Sequence, residues 1–153
     1  VATIVVVLIT IAAMAPVECT GLVPPIRGEI IRRFEPIGRY AGHWGIDISG
    51  FVGEPVTAAA DGRVSFSGVV VGNRTVTVEH GELRTSYSYL SERRVRAGDR
   101  VRRGDVLGAV GMHDGRPALH FSVRVGDRYV DPRRALHCLV DPSGAVWLRT
   151  LLT

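Results

Sequence analysis

The chain has 153 residues, 46% of them apolar, and a formal net charge of +4, which predicts one hydrophobic core rather than two. All 19 basic residues are Arg, so Schiff-base chemistry and lysine-linked cofactors are excluded. A mildly basic surface suits an anionic polymer (cell wall, membrane or nucleic acid) without choosing among them.

The N-terminal run Val1–Pro16 is almost wholly apolar. It is shorter than the roughly 20 residues of a membrane span and fits the apolar core of a signal peptide, with Ala13-Met14-Ala15 as a small-x-small cleavage pattern. Residues 1–19 are therefore expected to be a signal peptide or N-terminal anchor, 20–139 the folded domain and 140–153 a tail. This places the domain outside the cytoplasmic membrane, secreted or associated with the cell wall, and attached to the membrane only if the segment is uncleaved. In an oxidising compartment Cys19 and Cys138 could pair or remain free thiols.

Beyond residue 20, the 18 Gly and 8 Pro of the chain punctuate short alternating runs, which is the pattern of antiparallel strands. In chain order the predicted strands are 29–34, 55–58, 62–69, 74–80, 83–89, 105–110, 119–125 and 128–130, with a short helix or strand at 133–139. Leu119, Phe121, Val123 and Val125 share one face of their strand, and His120, Ser122 and Arg124 the other. The fold class expected is all-β, an antiparallel β-sandwich with a groove.

Candidate metal ligands are His43, Asp47 and His120. The first two lie in GHWGIDISG, where glycines let the backbone turn sharply around the pair, and His120 occupies the polar face of the clearest strand. Two imidazole nitrogens and one carboxylate oxygen are the ligand set of a catalytic zinc site with a position left for water. A capped turn at 43–47 and a solvated strand histidine at 120 would account for the same residues structurally.

From Val23 to Leu136 the sequence resembles the lysostaphin-type zinc endopeptidases of bacterial cell walls. The resemblance is carried, in order, by HWGID at 43–47, PVTAAADGRV at 55–64, HGELRTSY at 80–87, VRAGDRVRRGDVLGAVG at 95–111, LHFSVR at 119–124 and Asp131-Pro132. It implies a duplicated hybrid β motif, zinc held by His43, Asp47 and His120, and peptidoglycan or another cell-wall peptide as ligand. It also implies two further histidines beside the metal. Here the Tyr-x-His-Leu position is Tyr89 and the His-Leu-His position is Ala118, on the face of His120, so a gap is expected where an imidazole is missing. Tyr89 can donate a hydrogen bond to a developing oxyanion, and Tyr87 is expected on the same strand face. His113, in the loop GMHDGRP, could supply an imidazole for proton transfer. His80 and His137 read as structural.

Two functions fit this pattern: a zinc metalloendopeptidase acting on peptidoglycan peptides, or a catalytically inactive relative that binds cell-wall peptide or regulates a partner hydrolase. The 95–111 segment also resembles the hairpins of biotin and lipoyl carriers, which need the lysine this chain lacks. Nucleic acid is not an expected partner. The clusters Arg93-Arg94, Arg102-Arg103 and Arg133-Arg134 read as solvated turns and strand edges, with few aromatic residues among them to stack on bases.

Overall fold

The computed structural model describes residues 21–39 and 41–136. The proposed export segment, both cysteines, His137 and the tail lie outside the described residues, and no helix among those described is long and apolar enough to cross a membrane. The strands are β1 (Ile30–Arg32), β2 (Glu35–Ile37), β3 (Ala41–His43), β4 (Ile46–Ser49), β5 (Pro55–Thr57), β6 (Gly62–Val70), β7 (Asn73–His80), β8 (Leu83–Arg93), β9 (Arg100–Val101), β10 (Val106–Val110), β11 (Met112–His113), β12 (Arg116–Val125) and β13 (Arg128–Val130). One short helix, α1 (Pro132–Leu136), follows. Asp131 begins it by accepting the backbone N–H of Arg133 at 3.0 Å, with Pro132 in the first helical position, where its missing N–H costs nothing.

The all-β expectation holds, and every described pairing is antiparallel. The main sheet runs β1-β4-β12-β8-β7-β6-β9. β8 is long enough to serve both layers: residues 83–88 pair with β12, and residues 90–93 turn away to pair with β10, which pairs with β5. The core lies between the layers, with Ile46, Val56, Val76, Val78, Leu107, Leu119, Phe121 and Val123 all 0% exposed. Tyr87 is equally buried. Its oxygen accepts the Ala59 N–H at 2.8 Å, and burial pushes its pKa up to about 12 against the opposing hydrogen bonds from Thr85 and Ala59.

Several boundaries differ from the sequence expectation. The predicted strand 29–34 is only three residues long, β1 at Ile30–Arg32, and a separate strand, β2, follows it at Glu35–Ile37. The turn expected at 43–47 is a strand-turn-strand unit, β3 to β4, and His113 lies on a strand rather than in a loop. β11 forms a tight hairpin with β12 through Asp114 and Gly115, whose φ values of 49° and 75° suit a two-residue Asp-Gly turn. Tyr87 and Tyr89 do not share a face. Ser88 pairs with Thr75 while Leu90 pairs with Arg74, so Tyr89 is the extra residue of a bulge. Its φ is 64°, uncommon for a bulky side chain. The bulge sends Tyr87 to the core and Tyr89 to the opposite side.

Candidate metal centre

The site lies on the face of the main sheet turned away from the core. The register places His120 opposite both Asp47 on β4 and Ser88 on β8, so alternation brings these side chains to one side. His43 joins them from the end of β3. Gly45, between the two halves of the motif, allows β12 to come close: a Cβ there would stand 2.7 Å from His120 Nε2 and 2.6 Å from the Phe121 carbonyl oxygen. Any side chain at position 45 would push the His120 ring away.

The three predicted ligands converge. His43 Nε2 is 2.9 Å from Asp47 Oδ1 and 3.0 Å from His120 Nδ1, which in turn is 2.8 Å from Asp47 Oδ1. His43 Nδ1 is 2.7 Å from the Arg33 carbonyl oxygen. A carbonyl can only accept, so Nδ1 carries the proton and Nε2 of the neutral ring turns a lone pair toward Asp47. His43 Nε2 and Asp47 Oδ1 are thus both acceptors, and with His120 Nδ1 in its unprotonated form a shared cation would satisfy all three at once. Their separations approach the edge of a zinc coordination tetrahedron, about 3.3 Å for bonds of about 2.0–2.1 Å. The donor set thus fits zinc. Burial alone would raise the Asp47 pKa, but the His120 hydrogen bond and the charges of His120, His43 and His113 outweigh it and hold the carboxyl below its ordinary value of 3.8.

His113 is the fourth member of the cluster. One donor atom from each of His43, Asp47, His113 and His120 lies within 4.8 Å of the others, so the longer separations are those to His113. It stands just outside the inner triangle. Its Nε2 is 3.2 Å from Asp47 Oδ2 and its Nδ1 is 3.8 Å from Asp114 Oδ1, yet neither ring nitrogen is aligned for a hydrogen bond, although the residue is buried. Tyr89 stacks on it with ring centroids 3.6 Å apart. Burial, followed by the charges of Asp114 and Asp47, raises the Tyr89 pKa against the opposing Arg32, so the phenol keeps its proton and acts as a donor. The gap expected at Ala118 is absent: Ala118 is 1% exposed, and the imidazole of the neighbouring strand lies against the cluster instead.

A groove continues from this cluster along the sheet, walled by Trp44 and Tyr129 on one side and by Phe66 and Val70 on the other. Its floor includes Thr75, Thr77, Ser86, Ser88 and Ser122, a hydroxyl surface that the sequence reading did not single out. His80 is away from it, held by the Asp61 carbonyl at 2.7 Å and Thr85 Oγ1 at 2.8 Å, in agreement with its structural reading.

The model for peptidase family M23 matches residues 41–132. The chain is 33% identical over 124 residues to the cell division protein DipM of Caulobacter vibrioides, an alignment covering 78% of this chain and 20% of DipM. It is 30% identical to the murein hydrolase activator NlpD of Salmonella dublin, over 73% of this chain and 30% of NlpD. It therefore spans under a third of either relative. Among solved structures, a zinc-containing peptidase from Vibrio cholerae superposes with a TM-score of 0.66 at 29% identity, covering 76% of this chain and 39% of that one.

Proposed function

The chain belongs to peptidase family M23, and from that premise we propose that it is a zinc-dependent endopeptidase domain that acts on peptidoglycan peptides outside the cytoplasmic membrane. The observation that carries this reading is the convergence of His43, Asp47 and His120 at 2.8–3.0 Å with His113 beside them. A purely structural role would leave His43 Nε2, kept as an acceptor by the Arg33 carbonyl, facing the Asp47 carboxylate in a buried cluster. The zinc-containing relative and the two curated relatives, one a murein hydrolase activator, support a metal and a cell-wall ligand.

His43, Asp47 and His120 would hold the ion, with the Arg33 carbonyl fixing the tautomer and orientation of His43. When bound, zinc supplies Lewis acidity that polarises a peptide carbonyl and acidifies water. His113 receives a proton at a ring nitrogen and returns it to the leaving amine, the role that the replaced histidines would have filled. Tyr89 donates a hydrogen bond to the oxygen on which negative charge develops. Removing one such donor typically lowers the rate about 10²–10³-fold. The groove excludes bulk water on its walled sides and aligns the peptide over its hydroxyl floor.

The substitutions at Tyr89 and Ala118 and the likeness to a hydrolase activator favour a second reading, in which the domain binds cell-wall peptide and regulates a partner hydrolase. Muropeptide release from purified peptidoglycan separates the two, measured beside zinc content for the wild-type chain, the chelated protein and His120→Ala. The first reading expects one zinc per chain, release by the wild type, and loss of both metal and release in the other samples. Bound zinc with no release gives the second reading. A wild-type chain that takes up no zinc overturns the first.

A further inference from the structure

The groove floor is ordered in cross-strand rungs. The first joins Thr75, Ser88, His120 and Asp47, and the next joins Thr77, Ser86 and Ser122. The third joins Glu79, Arg84, Arg124 and Tyr129. Arg124 is four residues along β12 from His120, about 13 Å at the rise of an extended strand. Like charges directly opposite on a sheet repel, so an Arg84–Arg124 pair is an unusual way to end a groove.

The rung's own acid does not neutralise it. Glu79 Oε1 is 3.5 Å from Arg84 Nε, a contact not aligned for a hydrogen bond. Arg124 has no acidic partner among the described residues; its guanidinium carbon lies 5.1 Å from the centroid of the Tyr129 ring. The Nε atoms of both arginines are shielded from solvent and lack hydrogen-bond partners. A half-buried guanidinium pair with one positive charge in excess suits a planar anion, and a carboxylate can accept from the terminal nitrogens of both. The wall beside it, Trp44 against Tyr129 at 5.5 Å, lowers the local polarity and strengthens that attraction.

Resting on the reading that a peptide lies along this groove, we propose that Arg84 and Arg124 form a specificity site for a carboxylate of that peptide. The ligand is an acidic peptide, with its carboxylate about four extended residues from the bond that lies over His120. The neutral hydroxyl rung between accommodates uncharged backbone and small side chains. Neither arginine touches the reacting atoms. Both select and place the substrate.

The test is calorimetric binding of two probes to the full chain: a stem peptide released from peptidoglycan, and the same peptide with its carboxylates amidated. Each is titrated with and without a chelator, so that the readout does not depend on turnover. A charge-assisted pair predicts that the free carboxylate binds about tenfold or more tightly. Arg124→Gln and, separately, Arg84→Gln should bring the two peptides to nearly the same affinity, and in turnover should raise KM with little change in kcat. Equal affinity of the wild type for both probes, failure of the free-carboxylate peptide to bind, or a preference that survives both substitutions overturns the proposal. A preference in a chain that releases no muropeptide leaves the carboxylate site standing and removes the hydrolase reading. Release without a preference does the reverse.

Discussion

β12 carries two chemistries on alternate residues. Leu119, Phe121 and Val123 are 0% exposed and packed in the core, whereas His120, Ser122 and Arg124 line the groove. Neighbours in the chain, one peptide bond apart, thus belong to environments as different as an oil droplet and a polar cleft. Because the sheet itself separates them, substitutions on one face should alter stability and those on the other should alter chemistry, with little crossing over.

The largest effect expected from that separation is on the core face. Phe121 meets Tyr87 at 5.4 Å between ring centroids, and Phe121→Ala should cost about 3–5 kcal/mol in urea denaturation. A cost below about 1 kcal/mol would mean that the sheet does not divide the two environments as described. Next comes His113→Phe on the groove side, which keeps the ring stacked on Tyr89 but removes two buried nitrogens that lack hydrogen bonds. Stability should hold or rise by about 1 kcal/mol while muropeptide release falls about 10²-fold. Unchanged release would take His113 out of the chemistry.

The smallest effect concerns pH. Burial depresses the His80 pKa below 6.5, against the Asp61 hydrogen bond and charge that raise it. The unfolded chain therefore binds the proton more readily than the folded one. His80 contributes its stability fully above about pH 6.5 and loses it as the pH falls through its lower folded value. His80→Gln should flatten this part of the profile of Tm against pH. A wild-type profile already flat from neutrality down to about pH 5 would mean that folding leaves the proton affinity of this ring unchanged, and would remove the depressed pKa.

The convergence of His43, Asp47 and His120 was legible because its signals are local: HWGID encodes a pair on adjoining strands, and alternation from Leu119 to Val125 fixes the facing of His120. The His113 strand carried a signal as well, since Asp114-Gly115 before an alternating run is a hairpin turn. Treated as loop polarity, it concealed the fact that the hairpin carries His113 into the cluster. The position of Tyr89 was not legible. Period-two alternation assigns it to the face of Tyr87, and only the bulge against β7, set by long-range pairing, reverses it. The Arg84–Arg124 rung is of the same kind. Forty residues separate its members, and nothing in either segment announces the register that sets them opposite each other.

That β8 is shared between the layers has a consequence for how the domain comes apart. Its first half is held by β7 and β12 and its second half by β10, so neither layer can melt while the other keeps its full complement of backbone hydrogen bonds. Partial opening is confined to hairpin tips and outer strands, and the centre of β12 is released only in an all-or-none event. Asp47 and His120, paired with each other in the main sheet, are therefore brought together or parted with the whole domain, whereas His43 on the β2-β3 ribbon and His113 on the β11 hairpin ride on elements that can open locally.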